Sequence, residues 1–330
     1  MYTNGKEANP AVRILVVRLG AMGDIIHTLP AVASLKHSLP GSHITWAIAP
    51  KWAPLLDGNV FVDRRILVER VSLAGLLRAR RELRSERFDF AVDFQGLIQS
   101  ALIASVARPD RIFGFDRSQV REKPAALFYS NCAASTSKHI VERNIDLARA
   151  AGAASVLHTF PLPPGEPEQP LPGGDFVLAC PLAGWASKQW PLESYAELAR
   201  RLDRVFGIPL VVNGPPDSAD LLARIEGALT HTSGLPGLID ATRRAVAVVG
   251  VDSGPLHLAA ALEKPGIAIF GPTDPERNGP YGGSLQVLRS PRAVTSYKRL
   301  DAIDQSMRDV TVDEVFAALE SQLRRHAMVH

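Results

Sequence analysis

The stretch that most constrains this chain is Arg13-Ile14-Leu15-Val16-Val17-Arg18-Leu19-Gly20-Ala21-Met22-Gly23-Asp24. From Ile14 to Val17 it is apolar without alternation, the pattern of a strand covered on both faces, and such strands belong to parallel sheets flanked by helices. The two glycines that follow let the backbone turn into a helix starting near Ile25. In a strand-turn-helix unit the strand's carboxyl end faces the ligand crevice, so Asp24 is expected to point into a site. Two readings of Asp24 stand at this point, a helix cap and a general base. A phosphate cradle is disfavoured: Gly20-x-x-Gly23 lacks the dinucleotide-binding glycine spacing, and a carboxylate at a helix N-terminus repels a diphosphate.

The alternation of apolar runs and helical segments continues along the chain. Strands are expected at 44–48 and 88–94 and helices at 73–87 and 98–106, with Pro30 breaking or kinking the first helix. Residues 160–174 then bring six prolines and three glycines, which no helix or sheet interior accommodates. A second alternation follows, with strands at 176–179, 209–212, 245–249 and 267–270 and helices at 192–206, 218–228 and 255–262. This predicts an α/β chain of two Rossmann-like, doubly wound domains facing an interdomain cleft. The boundaries are 1–160 for the first domain, 161–174 for a proline-rich linker, 175–310 for the second domain and 311–330 for a C-terminal helix. In that helix Val312, Val315, Phe316, Leu319 and Leu323 fall at core-packing intervals.

Length and composition agree, since 330 residues at 46% hydrophobic bury a large core. Cys132 and Cys180 are the two cysteines, far apart in sequence, which argues for a reducing compartment rather than a disulfide framework. No apolar run approaches the ~20 residues that cross a bilayer, and the start does not resemble a signal peptide, so a cytoplasmic location is expected. Charge is uneven: the first 170 residues hold 21 Lys and Arg against 16 Asp and Glu, and the remainder 16 against 18. The surplus gathers at Arg78, Arg80, Arg81, Arg84 and Arg87 and at Arg117, Arg121 and Lys123. An anionic partner on the first domain or, for the first group, a solvated helix balanced by Glu82 and Glu86 accounts for it. Nucleic acid is not expected, because no basic stretch is interleaved with aromatics.

In the second half Val249-Gly250-Val251-Asp252-Ser253-Gly254-Pro255-Leu256-His257 runs from a buried strand into a helix that Pro255 opens. The N–H groups of Ser253 and Gly254 are thereby placed to receive phosphate oxygens, and His257 lies one turn in, as a site residue or a core histidine. Lys188, after the first strand of this half, is a surface lysine or a diphosphate counter-charge. Gly271-Pro272-Thr273-Asp274-Pro275 follows the last core strand and is expected to border the same cleft. There is no Asp-x-Asp pair and no metal-ligand spacing of His and Cys, so a metal-independent reaction is expected.

These stretches resemble the heptosyltransferases of glycosyltransferase family nine, from Arg13 to about Tyr281. The resemblance is carried by Gly20-Ala21-Met22-Gly23-Asp24, Asp93-Phe94-Gln95-Gly96-Leu97, Arg121-Glu122-Lys123-Pro124, His139-Ile140-Val141-Glu142-Arg143, Lys188-Gln189-Trp190-Pro191, Asp252-Ser253-Gly254 with His257, and Gly271-Pro272-Thr273-Asp274. The first loop and the Arg-Glu-x-Pro segment are like those of the type I branch. The resemblance implies a GT-B fold and inverting transfer of L-glycero-D-manno-heptose from ADP-heptose, a substrate rather than a cofactor, to the first Kdo of di-Kdo lipid A. It implies Asp24 as the base and Lys188, Asp252, Ser253, Gly254, His257, Asp217 and Thr273 as donor contacts. Arg78, Arg81, Arg121, Lys123 and Lys138 are the expected acceptor contacts, and the same charge suits peripheral binding at an anionic inner-membrane surface. The chain departs from the family in offering only Asp217 for the donor ribose and in carrying Ala183 and Gly184 where relatives often have hydroxyl residues. A related ADP-heptose transferase with another acceptor and a GT-B-like epimerase or binding protein remain as alternatives.

Overall fold

The apolar runs become the central strands of two sheets. The computed structural model describes residues 11–69 and 73–327. Its first half holds β1 (Arg13–Val17), β2 (His43–Ile48), β3 (Arg64–Leu67), β4 (Phe90–Asp93), β5 (Arg111–Phe115) and β6 (Asn131–Ala133), ordered β3-β2-β1-β4-β5-β6. The second holds β7 (Val177–Cys180), β8 (Leu210–Gly214), β9 (Leu229–Thr232), β10 (Ala247–Val251), β11 (Gly266–Phe270) and β12 (Leu285–Arg289), ordered β12-β11-β10-β7-β8-β9. Every pairing in both is parallel. The two orders are the same once strands are counted within each half. In each, the direction of winding reverses between the first and fourth strands, β1 and β4 or β7 and β10, and that switch point is where such sheets open a ligand crevice.

Among the described residues the first half carries α1 (Met22–Ile26), α2 (Leu29–Ser38), α3 (Leu73–Leu83), α4 (Ile98–Val106) and α5 (Ile140–Ala150). Pro30 occupies the second position of α2, so the helix stops at Ile26 and restarts, as its missing N–H requires. α1 begins three residues earlier than expected, which makes Asp24 its third residue. The glycines of the first loop also act otherwise than expected. Neither has a positive φ; the Gly20–Ala21 peptide is cis. A Cβ on Gly20 would lie 2.9 Å from the Trp52 indole nitrogen, and one on Gly23 would lie 2.5 Å from the His257 ring. Both are glycine because another side chain occupies the space.

The second half carries α6 (Leu192–Phe206), α7 (Ala219–Leu222), α8 (Leu235–Arg244), α9 (Gly254–Ala261), α10 (Pro275–Asn278), α11 (Gln305–Arg308) and α12 (Val312–Ala327). α7 is much shorter than the helix expected at 218–228. α12 buries Val315, Leu319 and Leu323 against the second sheet, with Val312 and Phe316 at the edge of the same cluster; positions 328–330 of the expected helix lie outside the described residues. The proline-rich connector has no regular structure, yet it is held. Glu168 accepts hydrogen bonds from the Gly234 (2.6 Å) and Gly237 (3.0 Å) N–H groups at the start of α8, and Arg243 and Arg244 donate to carbonyls of Leu162, Pro163 and Pro172. It therefore follows the second sheet's helices rather than swinging free.

The halves meet where α1 packs on α9, Gly23 against His257 and Gly254 against Met22. A second contact joins α5 to the α10 region. His139 Nε2 donates to the Gly279 carbonyl (3.1 Å), the Tyr281 hydroxyl donates to Glu142, and Lys138 pairs with Glu276 at 3.0 Å. Between these contacts lies a cleft of about 700 Å³. No helix among the described residues is long and apolar enough to cross a membrane.

Candidate active site

Both switch points open into this cleft. From the first sheet come Asp24, in the first turn of α1 after β1, and Gln95 and Gly96 after β4; from the second come Lys188 after β7 and Asp252, Ser253 and Gly254 after β10. The β4 loop is built on Asp93, a fully buried carboxylate. It accepts from the Gln95 and Gly96 N–H groups (2.9 and 3.2 Å) and from the Ser100 and Tyr129 hydroxyls (2.8 and 2.7 Å). Burial pushes its pKa up against those four donors. Gln95 then accepts from the Leu19 N–H at 2.7 Å, tying this loop to the one that carries Asp24.

Asp24 is held by a residue that the sequence reading passed over. Arg18 follows β1 directly and is buried; its Nη2 lies 2.7 Å from Asp24 Oδ1, and its Nη1 donates to the Phe94 carbonyl at 2.5 Å. Asp24 Oδ2 accepts from the Ala21 N–H at 3.2 Å, so the carboxylate does tie the helix start, while about a third of it (34%) remains exposed to the cleft. Capping and availability for chemistry coexist. The signal for Arg18 was present as a charge at the end of an otherwise apolar strand, where a buried guanidinium needs a partner.

On the opposite wall, Lys188 Nζ donates to Asp252 Oδ2 at 3.0 Å and lies 4.8 Å from the centre of the Trp185 ring. His257 Nε2 is 3.5 Å from Asp252 Oδ1. Burial opposes the Asp252 charge, but His257 and Lys188 beside it hold its carboxyl well below the usual range. The hydroxyls of Ser253 and Thr273 are buried without a hydrogen-bond partner, at the N-terminus of α9 and after β11. Such groups are costly unless a ligand atom meets them, and Ser253 is the N-cap of α9, whose first N–H groups have no partner within the helix.

Under these groups three histidines cross from one half to the other. His27 packs edge-on against His257 (ring centres 4.3 Å apart) and His139 (5.8 Å). Burial first, then His257, His139 and Arg18, lowers the His27 pKa well below 6.5; burial likewise lowers that of His139 although the Gly279 carbonyl accepts its hydrogen bond.

Of the expected residues, Asp24, Arg121, Lys188, Asp252, Ser253, Gly254, His257 and Thr273 line this cleft. Five do not. Asp217 is exposed on the turn after β8; Arg78 and Arg81 stand on the outer side of α3; Lys123 is exposed beyond the rim; Lys138 is engaged by Glu276. In their place the cleft has Arg143, Arg277 and Arg299. The Arg143 pKa is depressed by burial and by Arg277 facing it from the other half, and Arg299 lies 5.3 Å over Trp185. Among the described residues no group of three or more His, Cys, Asp or Glu side chains is placed to hold a metal ion.

Two Rossmann-like sheets set crevice to crevice form the GT-B architecture, and an enzyme of this class works in the gap between them on a sugar nucleotide from one side and an acceptor from the other. The glycosyltransferase assignment sharpens at once: residues 76–305 match Glycosyltransferase family 9 (heptosyltransferase), and the chain belongs to that family. Lipopolysaccharide heptosyltransferase 1 of Escherichia coli K12 is 29% identical over 306 residues, 85% of this chain and 94% of that protein. The E. coli heptosyltransferase WaaC solved with ADP superposes with a TM-score of 0.77 at 26% identity, covering 94% of this chain and all of the other. The same enzyme with ADP-2-deoxy-2-fluoro heptose gives 0.74 at 26% identity, with 94% and 99% covered. The fold and family expectations from the sequence are met.

Proposed function

We propose that the chain transfers L-glycero-D-manno-heptose from ADP-heptose to the first Kdo of di-Kdo lipid A, with inversion and without a metal ion or other cofactor, while bound peripherally to an anionic inner-membrane surface. The observation that carries this reading is the charge of the cleft, whose lining has six basic side chains (Arg18, Arg121, Arg143, Lys188, Arg277 and Arg299) against two acidic ones (Asp24 and Asp252). That excess suits a nucleoside diphosphate and an acceptor bearing carboxylates at the same time. The similarity to proteins named lipopolysaccharide heptosyltransferase 1, and to a heptosyltransferase solved with an ADP-heptose analogue, supports an ADP-heptose donor and an acceptor in the lipopolysaccharide core.

In this mechanism Asp24 takes the proton of the acceptor hydroxyl as its oxygen bonds to the anomeric carbon. The bond from that carbon to the diphosphate oxygen breaks on the opposite face, and ADP leaves as a stabilised anion. An inverting hydrolase needs a second carboxylic acid for its leaving group; here Lys188 and the N–H groups of Ser253 and Gly254 meet the developing charge instead. Asp252 keeps Lys188 in the cleft and accepts from sugar hydroxyls, and His257 meets sugar hydroxyls or phosphate. Arg121 and Arg143 on the first half and Arg277 on the second face the acceptor carboxylates.

The test is ADP release by the purified protein given ADP-heptose, with and without de-acylated di-Kdo lipid A and with EDTA. Release that needs this acceptor and ignores EDTA is the expected result. Donor binding without acceptor-dependent release transfers the reading to another acceptor; absence of donor binding refutes it.

A further inference from the structure

Amphipathic helices turn their large apolar side chains inward; α3 and α4 do so with Leu83, Ile103 and Val106 but also present several outward. α3 buries Gly75, Ala79 and Leu83 and leaves Leu76 and Leu77 exposed, and α4 buries Ser100, Ala101 and Ala104 and leaves Ile98 and Leu102 exposed. The helices are neighbours, since Arg84 Nε at the end of α3 donates to the Val106 carbonyl at the end of α4 (3.2 Å). α4 also meets the turn Lys123–Phe128, where Leu127 is 78% exposed. Five of the thirteen large apolar side chains exposed among the described residues thus fall on three adjoining elements.

This face is also basic. Arg78, Arg80, Arg81 and Arg84 are exposed along α3, and Arg108 and Arg80 stand close enough to depress the Arg84 guanidinium. It borders the cleft, too: Gly96 and Arg121 line the cleft, and Glu122 beside Arg121 accepts from the N–H of Ile98 at the start of α4 (2.8 Å).

We propose that this face docks on an anionic lipid bilayer, Leu77, Leu102 and Leu127 entering the acyl boundary and Arg78 and Arg81 meeting lipid phosphates. The inference rests on the reading of the acceptor as a lipid-anchored saccharide, and it gives that peripheral attachment its surface. A bilayer is favoured over a second copy because a two-fold contact would set the arginine cluster against itself, whereas leucines rimmed by arginines match the acyl and phosphate layers of an anionic leaflet. Docked this way, the rim at Gly96 and Arg121 sits at headgroup level, where such an acceptor presents its sugars. Arg78 and Arg81 then serve the membrane rather than the acceptor sugar.

The experiment compares the protein with a Leu77→Ser/Leu102→Ser/Leu127→Ser variant in sedimentation with vesicles of phosphatidylethanolamine containing a quarter phosphatidylglycerol, and with vesicles of phosphatidylcholine alone. The unaltered protein is expected on the anionic vesicles and not on the neutral ones, and the variant is expected to bind them at least ~100-fold more weakly. ADP release with the water-soluble de-acylated acceptor is expected to be unchanged in the variant. Should the triple variant not fold, Arg78→Gln/Arg81→Gln removes charge from the same face and is expected to lower binding about tenfold, and that loss is expected to disappear in high salt. Undiminished vesicle binding in these variants, equal binding to neutral vesicles, or a lipid-free change of oligomeric state in the leucine variant overturns the proposal. If no acceptor supports ADP release while vesicle binding behaves as stated, the docking face stands and the transferase reading fails.

Discussion

The Arg18–Asp24 pair makes the assignment of the base measurable. Arg18 is buried and holds one carboxylate oxygen at 2.7 Å, while Asp24 keeps 34% of its side chain toward the cleft. Replacing Arg18 by Gln removes a charge-assisted bond of ~1.5–3 kcal/mol. Water reaching the exposed part of Asp24 compensates some of it, so a stability loss of about 1.5 kcal/mol is expected, well short of unfolding. The catalytic loss is larger. A positioned base contributes ~10²–10⁴-fold, and a carboxylate free to swing by an ångström forfeits ~10² of that. Turnover by Arg18→Gln is therefore expected to fall about 100-fold with the donor KM little changed. Asp24→Asn is expected to lose ~10²–10⁴-fold with folding intact. Because Arg18 acts through Asp24, the double variant is expected to be no slower than Asp24→Asn alone. The assay is ADP release in the four-member cycle, with thermal midpoints measured in parallel. Multiplying losses in the double variant would show that Arg18 acts on the substrate directly, and normal turnover in a folded Asp24→Asn protein would end the base assignment.

Three further outcomes follow from the same geometry. Gly23→Ala puts a Cβ 2.5 Å from the buried His257 ring, so a loss of ~1–3 kcal/mol is expected together with a weaker donor KM, read by thermal melting and kinetics. Lys188→Met leaves the buried Asp252 carboxylate with His257 alone beside it; ~1.5–3 kcal/mol of stability is expected to go, and Lys188→Met/Asp252→Asn is expected to recover stability without recovering donor binding. The folded-state pKa of His27 lies below its unfolded 6.5, so the folded protein binds fewer protons between the two values, and its stability is present in full above about 6.5 and lost as pH falls below it. The thermal midpoint is expected to be level near neutral pH and to drop toward pH ~5.5, less steeply in His27→Gln; an equal slope in the two proteins would refute the role given to His27.

The central strands were legible because they are covered on both faces: Ile14 to Val17, Val177 to Ala179 and Ala247 to Val249 have no polar face to hide the signal. The edge strands were not. Arg64-Arg65-Ile66-Leu67 and Leu229-Thr230-His231-Thr232 carry exposed polar side chains at positions a central strand would bury, and only pairing in the finished sheet marks them as strands. The site divides in the same way. Asp24, Lys188, Asp252 and Ser253 come from the ends of strands at the switch points, a location that topology assigns before any contact is known. Arg143, Arg277 and Arg299 come from helices or irregular chain and enter the cleft only when the halves are apposed, so no local pattern distinguishes them from surface arginines.

Some positions stay ambiguous in a sequence because one residue type serves two physical ends. Gly23 was expected at a turn because glycine frees the backbone; it is needed because His257 fills the place of a Cβ, and both demands read as glycine in the sequence. Arg78 and Arg81 announce an anionic partner through their number, but a helical arginine shows only that it faces outward, not which anion lies there. What separates the alternatives is the identity of the residues facing inward. α3 buries Gly75, Ala79 and Leu83 yet exposes Leu76 and Leu77, and the bilayer proposed for this face is the apolar phase those two leucines would meet.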